Sequence, residues 1–255
     1  MKPLTKNYKV LATLVVMGLS SAQTTLAASA FSSDATLTYA ITNITNLSNP
    51  GDLSGLQILG YFEQAGAPDS YVATTGDGAI AADNPTVGPV SVETSFSRTF
   101  AVGGNVTDGT VASSHLGWFR LDFNNLGSDS YAIELALDFE LTATASGQSA
   151  DTDIFLDYFR TSSSDSFLPG FTNVSPSLGF GFVNASVFGL DNAATSGSSG
   201  PLLFSLGPNA SEGLHADVWI NGNLQASPVP LPAAVWFFIT GLLTFSSMRK
   251  RKAMA

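Results

Sequence analysis

The chain has 255 residues, 12% of them charged and none of them cysteine. That is about half the usual charge density of a globular protein, and it excludes disulfide frameworks, thiol catalysis and cysteine-type zinc sites. All the lysines sit at the two ends (Lys2, Lys6, Lys9, Lys250, Lys252), so a product trimmed at both ends keeps Arg98, Arg120 and Arg160 against all 20 acidic residues, a net charge of −17 instead of −10; this excludes nucleic acid as a partner and docking on anionic lipid through a basic patch.

Residues 1–27 follow the plan of a secretory signal peptide, with a basic start at Lys2, Lys6 and Lys9, an apolar run from Val10 to Leu19, then small and polar residues. The apolar run is too short to cross a bilayer core of about 30 Å at about 1.5 Å per residue, which favours cleavage over an uncleaved anchor. Cleavage after Ala27 or after Ala30 satisfies the small-x-small rule, and we place it after Ala27.

Residues 28–226 read as one acidic ectodomain of the all-β class, an antiparallel β-sandwich or jelly roll. Strands are predicted at 35–44, 56–63, 90–102, 131–144, 153–160, 180–188, 202–206 and 214–220. The clearest is 131–144, where Tyr131, Ile133, Leu135, Leu137, Phe139 and Leu141 alternate with smaller or polar residues and share one face. Upstream, Phe119, Leu121 and Phe123 alternate with Trp118, Arg120 and Asp122, and the turn-rich 124–130 predicts a hairpin between the two runs. Segments 65–89, 161–176 and 192–200 read as long loops. No internal repeat and no second domain are visible.

Candidate chemistry in this region is sparse, and no catalytic residue is assigned. Glu134, Asp138 and Glu140 point away from the apolar face, a pattern close to the strand motif of jelly-roll β-glucanases, but Ala136 stands where that motif carries its nucleophile. Asp151, Asp153 and Asp157 share parity and are the candidates for calcium, which takes about six to eight oxygens; Asp77 and Asp83 form a second acidic group in a Gly-rich stretch. No metal site is assigned and no cofactor is required. His115 and His215, the two histidines, read as surface or strand-end residues. Arg98 shares parity with Phe96 and Phe100 on the face expected to be buried, which predicts either a bulge or a strand end with a buried stem and its head in water. Trp118, Trp219, Phe155 and Phe159 fall on polar parities: either a second sheet packs there or the rings offer a surface to sugars. Six Asn-x-Ser/Thr sequons, at Asn43, Asn46, Asn105, Asn173, Asn184 and Asn209, are attributed to the abundance of Ser and Thr.

The C-terminal end is the most informative stretch. Residues 227–232 are rich in proline and form an extended spacer, 233–248 carry no charge and form a transmembrane helix of minimal length, and 249–255 begin with Arg249, Lys250, Arg251 and Lys252, a stop-transfer cluster retained on the cytoplasmic side. A proline-rich motif, a short apolar span and a terminal basic cluster in this order resemble the PEP-CTERM sorting signal of bacterial surface proteins. Val229, Pro230, Leu231, Pro232 and Ala233 resemble the variant of that signal named for the string Val-Pro-Leu-Pro-Ala, with Leu231 where the main family carries glutamate. The resemblance covers roughly a tenth of the chain. It implies an exosortase, a membrane-embedded cysteine transpeptidase-like protease, as processing partner, an inner-membrane single-span precursor, and export to the cell surface or beyond it, often alongside exopolysaccharide. On this reading the protein is a noncatalytic cell-surface or matrix protein; a carbohydrate-binding module, with or without calcium, is the alternative, and a secreted hydrolase is third.

Overall fold

Bulk and polarity alternate through most of 28–226, and the backbone answers with strands. The computed structural model describes residues 28–227 apart from 67–68, 84–85, 169–170 and 175–176. The signal peptide with Ala27, the motif Val229 to Ala233, the span 233–248 and the cluster Arg249 to Lys252 lie outside the described residues. Among the described residues no helix is long and apolar enough to cross a membrane.

Twelve strands are described: β1 Ser29–Asn46, β2 Leu56–Gln64, β3 Tyr71–Gly76, β4 Ala79–Asp83, β5 Val87–Ser91, β6 Ser95–Val106, β7 Gly109–Asn125, β8 Tyr131–Leu168, β9 Phe171–Val174, β10 Gly179–Ser198, β11 Leu202–Leu206 and β12 Ser211–Ala226. They form one antiparallel sheet with the path β4-β6-β1-β8-β12-β7-β2-β5; β9, β10 and β11 also pair with β8, and β3 with β7.

The sheet curls through β8, whose first half, up to Gly147, pairs with β1 while its second half, from Ser149, pairs with β12. β10 runs along the other side of both halves, with a register shift between Val187 and Gly189 opposite the bend. The buried set changes parity there, from Leu135, Leu137, Leu141, Ala143 and Ala145 to Ala150, Ile154 and Leu156. Because alternation has period two, one extra residue at the bend keeps the apolar side inward on both arms. Gly147 makes the corner with φ +109°, and a Cβ there would lie 1.9 Å from the Ala28 carbonyl oxygen. Buried Ser29 pins the corner: its Oγ accepts from the Gln148 and Ser149 amides (3.1 and 3.0 Å) and donates to the Gln225 carbonyl (2.7 Å).

The arm holding β4, β6, β1 and the first half of β8 faces the arm holding β12, β7 and β2 across one core. Phe100 meets Phe62 (6.2 Å between centroids), Phe204 meets Phe123 (5.5 Å), and the Tyr39 hydroxyl donates to the Phe119 carbonyl at 2.9 Å. Rings of one arm rest on glycines of the other, since a Cβ on Gly60, Gly117 or Gly222 would come within 2.7, 2.8 or 2.2 Å of Phe96, Phe100 or Phe31.

Several boundaries differ from the sequence reading. Segment 65–89 contains β3, β4 and the start of β5, 192–198 continues β10, and 161–174 holds the end of β8 and all of β9. Polar, small residues there satisfy their amides by pairing at sheet margins, which leaves no apolar alternation to detect. The strand expected at 90–102 is divided at Val92, and 153–160 belongs to the same strand as 131–144. The hairpin expected across 124–130 does not form: β7 pairs with β2, β3 and β12, and the connection crosses from one arm to the other. Asn125 fixes that crossing, its Nδ2 donating to the Asp129 and Gly207 carbonyls at 2.7 Å each while its Oδ1 accepts from the Gly127 amide at 3.0 Å. Alternation shows that two runs each bury a face, without showing whether those faces lie side by side or opposite one another.

Candidate functional site

The register of β2, β7, β12, β8 and β10 arranges side chains in rows on the face turned away from the core. Tyr61, Arg120, His215 and Phe159 form one row; Glu63, Trp118, Asp217, Asp157 and Phe180 the next; then Trp219, Phe155 and Phe182; then Asn221, Asp153 and Asn184. Chemistry-bearing residues from five strands thus share one surface, although an outward face is ordinarily a solvated one.

The first two rows hold a buried polar cluster. Arg120 lies over the Tyr61 ring (4.2 Å to the centroid) and pairs with Asp122 at 2.9 Å. His215 is buried edge-on to Phe159, 4.9 Å between centroids, with Nε2 3.7 Å from Asp217 Oδ1. Gly213 leaves a small cradle beside them: a Cβ there would lie 2.9 Å from Asp122 Oδ1 and 3.1 Å from Thr161 Oγ1. Among the described residues those two atoms, His215 Nδ1 and Asp217 Oδ1 have no hydrogen-bond partner. Unpartnered buried polar atoms are costly, and the ionisations follow. Burial raises Asp122 to about 6 against the opposing charge of Arg120, and burial with the nearby charge of Asp157 raises Asp217 to about 7. Burial, then Arg120, lowers His215 to about 3, so the imidazole is neutral near neutrality. The distance between His215 and Asp217 exceeds a hydrogen bond, and among the described residues Nδ1 meets no hydroxyl, so these residues do not have the geometry of a hydrolytic triad.

These directions fix a pH dependence. Asp217 keeps its proton in the folded state up to about pH 7 but loses it near its ordinary 3.8 when unfolded, so the folded state binds the extra proton and stability falls as pH rises through this window. Asp122 acts in the same sense up to about 6, whereas His215, charged only when unfolded between about 3 and 6.5, acts in the opposite sense. Asp217→Asn, which mimics the protonated acid, is expected to melt higher than wild type above pH 7 by the equivalent of about 3 kcal/mol after discounting its residual exposure, and to lose that advantage near pH 4. Thermal melts across this range check it; an advantage equal at both ends would be wrong for a buried proton.

Beyond the cluster the face becomes aromatic. Phe155 sits between Trp219 (5.7 Å) and Phe180 (6.4 Å, planes within 23°). Phe155, Phe180 and Phe182 are 38%, 70% and 54% exposed, reaching across to β10. Asp151, Asp153 and the asparagines border this strip: Asn221 Nδ2 donates to Asp153 at 2.9 Å, and Asn184 Nδ2 to Asp151 at 3.4 Å.

The sheet that Trp118, Trp219, Phe155 and Phe159 could have packed beneath is not among the described strands, all of which belong to the two arms. Asp151 and Asp153 are adjacent, but Phe155 separates them from Asp157, which accepts from the Ser177 hydroxyl; among the described residues no three such side chains converge on a metal position. Asp77 takes the Thr107 and Asp108 amides (2.8 and 2.9 Å) and the Thr107 hydroxyl, which holds the β6–β7 turn and lowers its pKa. The Asp83 side chain lies outside what is described. Glu134 is half-buried, while Asp138 and Glu140 stand exposed in an open groove of about 550 Å³ on the other arm with Thr36, Thr38 and Ser196. Both histidines are buried and not superficial, His115 accepting or donating at 3.0 Å with Gln64; strand pairing, invisible in the sequence, encloses them. Arg98 is half-buried, its guanidinium over the Phe96 ring and its Nη1 donating to the Ser97 carbonyl at 2.7 Å. Asn46 is a structural residue, buried with Nδ2 on Asp52 O and Asp129 Oδ2 (2.8 and 2.7 Å).

No family model and no curated protein matches this chain. Among solved structures it has a faint likeness to β-glucuronidase 2 of Bacteroides uniformis (12% identity, 63% of this chain and 21% of that one, TM-score 0.16) and to a putative β-galactosidase from Bacteroides fragilis (9%, 65% and 32%, TM-score 0.13). A vicilin from Corylus avellana aligns at 6% identity over 78% of this chain and 73% of its own, TM-score 0.08. The chain thus spans a third or less of the two glycosidases.

Proposed function

We propose that the chain is an exported, noncatalytic cell-surface or extracellular-matrix protein, made as an inner-membrane precursor and released by an exosortase-type protease. The observation that carries this reading is the order of Val229-Pro230-Leu231-Pro232-Ala233, an uncharged span and Arg249-Lys250-Arg251-Lys252 at the end of an acidic all-β chain that opens with a signal-like segment. The curled sheet is, on this reading, a β-sandwich or jelly roll used as an outward-facing module, with exopolysaccharide as its natural neighbour. Mature mass in cells with and without an active exosortase tests the sorting step: the expected result is loss of the span only when the enzyme is active. A span that stays attached in both refutes it.

A second reading, a carbohydrate-binding module, is favoured by one feature of the fold, the exposed Phe155, Phe180 and Phe182 strip beside Trp219. Aromatic faces on an otherwise polar sheet stack on sugar rings, and the neighbouring Asn and Asp side chains suit hydroxyl groups. A hydrolase has less support. Asp138 and Glu140 are exposed in an open groove, and Ala136 replaces the nucleophile of the matching motif.

A further inference from the structure

The strip on the outer face of β12, β8 and β10 combines two properties that narrow its ligand. It is apolar and open, with three phenylalanines exposed in one contiguous patch, and it is bordered by carboxylates on both sides: Asp151 and Asp153 in the rows beyond Phe155, Asp157 in the row before it. The one cation described on this face, Arg120, is engaged with Asp122 and Tyr61 two rows away. We infer that this strip is the binding site for a polysaccharide bearing free amino groups, whose rings stack on Phe155, Phe180, Phe182 and Trp219 while its ammonium groups face Asp151, Asp153 and Asp157. The inference rests on the glycan-binding reading and adds the class of sugar.

Three arguments support that occupant. An anionic polysaccharide would meet carboxylates without a counter-charge, at a cost that rises with each repeat. Ammonium groups held near aromatic faces gain from the ring quadrupole as well as from the carboxylates. On β12 and β8 the backbone is paired on both sides, so recognition at Trp219 and Phe155 runs through side chains; an extended peptide gains its affinity by adding a strand at an edge, and would lie along the outer side of β10 and not across the strip. The geometry also suits a chain of rings lying across the strands. Adjacent strands are about 4.8 Å apart, close to the advance per residue of an extended pyranose chain, and Trp219, Phe155 and Phe182 occupy three successive strands in one row. Asn221 and Asn184 flank that row with amide donors and acceptors for hydroxyl groups.

The test titrates the full-length protein, kept in a polyoxyethylene detergent that carries no sugar, with a β-linked glucosamine hexamer, its fully N-acetylated counterpart, cellohexaose and a lysine-glycine peptide of equal charge, at one pH and one ionic strength. The glucosamine hexamer is expected to bind about tenfold more tightly than each of the other three. Phe180→Ser and Phe182→Ser, both at exposed positions that leave the melting temperature unchanged, are expected to weaken it about tenfold, and Asp153→Asn to erase the preference for the amine while sparing affinity for cellohexaose. Equal affinity for all three glycans would overturn the amine specificity and leave the glycan-binding reading standing. Binding to none of them would remove both. Equal binding of the peptide, or insensitivity to Phe180→Ser and Phe182→Ser, would show a generic acidic surface and overturn the site.

Discussion

Leu137→Asp is expected to abolish the folded state of residues 28–226. Leu137 is fully buried in the first half of β8, within the cluster formed with Leu135, Tyr39 and Leu141, and its backbone amide donates to the Ser199 hydroxyl oxygen at 2.9 Å. β8 is the central strand of this arm, bordered by β1 and β10, so a carboxylate at 137 can reach water only by prising β8 away from both neighbours. Loss of the leucine's packing costs about 2 to 5 kcal/mol and an unpaired buried charge adds several more, which together approach the whole stability of an ordinary domain, about 5 to 15 kcal/mol. Far-ultraviolet circular dichroism and a thermal melt check this. A variant that melts like wild type would mean that 131–141 does not face the core.

Gly147→Val is expected to cost at least about 4 kcal/mol, from strain of about 1 to 3 kcal/mol at a φ that side chains rarely adopt plus the collision of the new side chain with the Ala28 carbonyl and Ser29 Cα, 1.9 and 2.6 Å from the added Cβ. The corner cannot yield easily, because the Gln148 and Ser149 amides are held by Ser29 Oγ. The damage should also be directional. If the corner straightens, the parity change between Ala145 and Ala150 is lost, and one arm would turn its apolar side to water. Denaturant unfolding monitored by tryptophan fluorescence reads the cost, and the variant should bind more of a hydrophobic dye than wild type does. A fall of less than about 1 kcal/mol, within the range of ordinary surface changes, would show that the bend is set elsewhere.

Strand identity was legible wherever one face is buried and the other is wet, since that contrast is written residue by residue. Leu202 to Leu206 was therefore found at both bounds, and the strand expected at 131–144 was found at its start, although it runs on to Leu168. Margin strands such as Tyr71–Gly76, exposed throughout, carry no contrast to read. Pairing was illegible for a different reason. β8 pairs with 29–46 on one arm and with 211–226 on the other as well as with β9, β10 and β11, and nothing local in a sequence encodes a neighbour tens of residues or more away. The outward cluster was missed on the same ground: Arg120, Asp122, Thr161, His215 and Asp217 come from three strands, and only their register shows them together. One signal was present, the polar parity of Trp118, Phe155, Phe159 and Trp219, which marks a face that does more than meet solvent.

The position of β12 has a mechanical consequence. Its last residue, Ala226, immediately precedes the proline-rich segment, so tension transmitted from the C-terminal side enters the fold through this strand. β12 is an interior strand, paired with β7 from Ser211 to Ala226 and with β8 from Glu212 to Gln225. A pull at Ser227 directed along the strand therefore loads both ladders in shear, and their hydrogen bonds must fail together and not one after another as at a peeled edge. The strand at which the chain leaves the domain is thus one that resists being pulled along its axis.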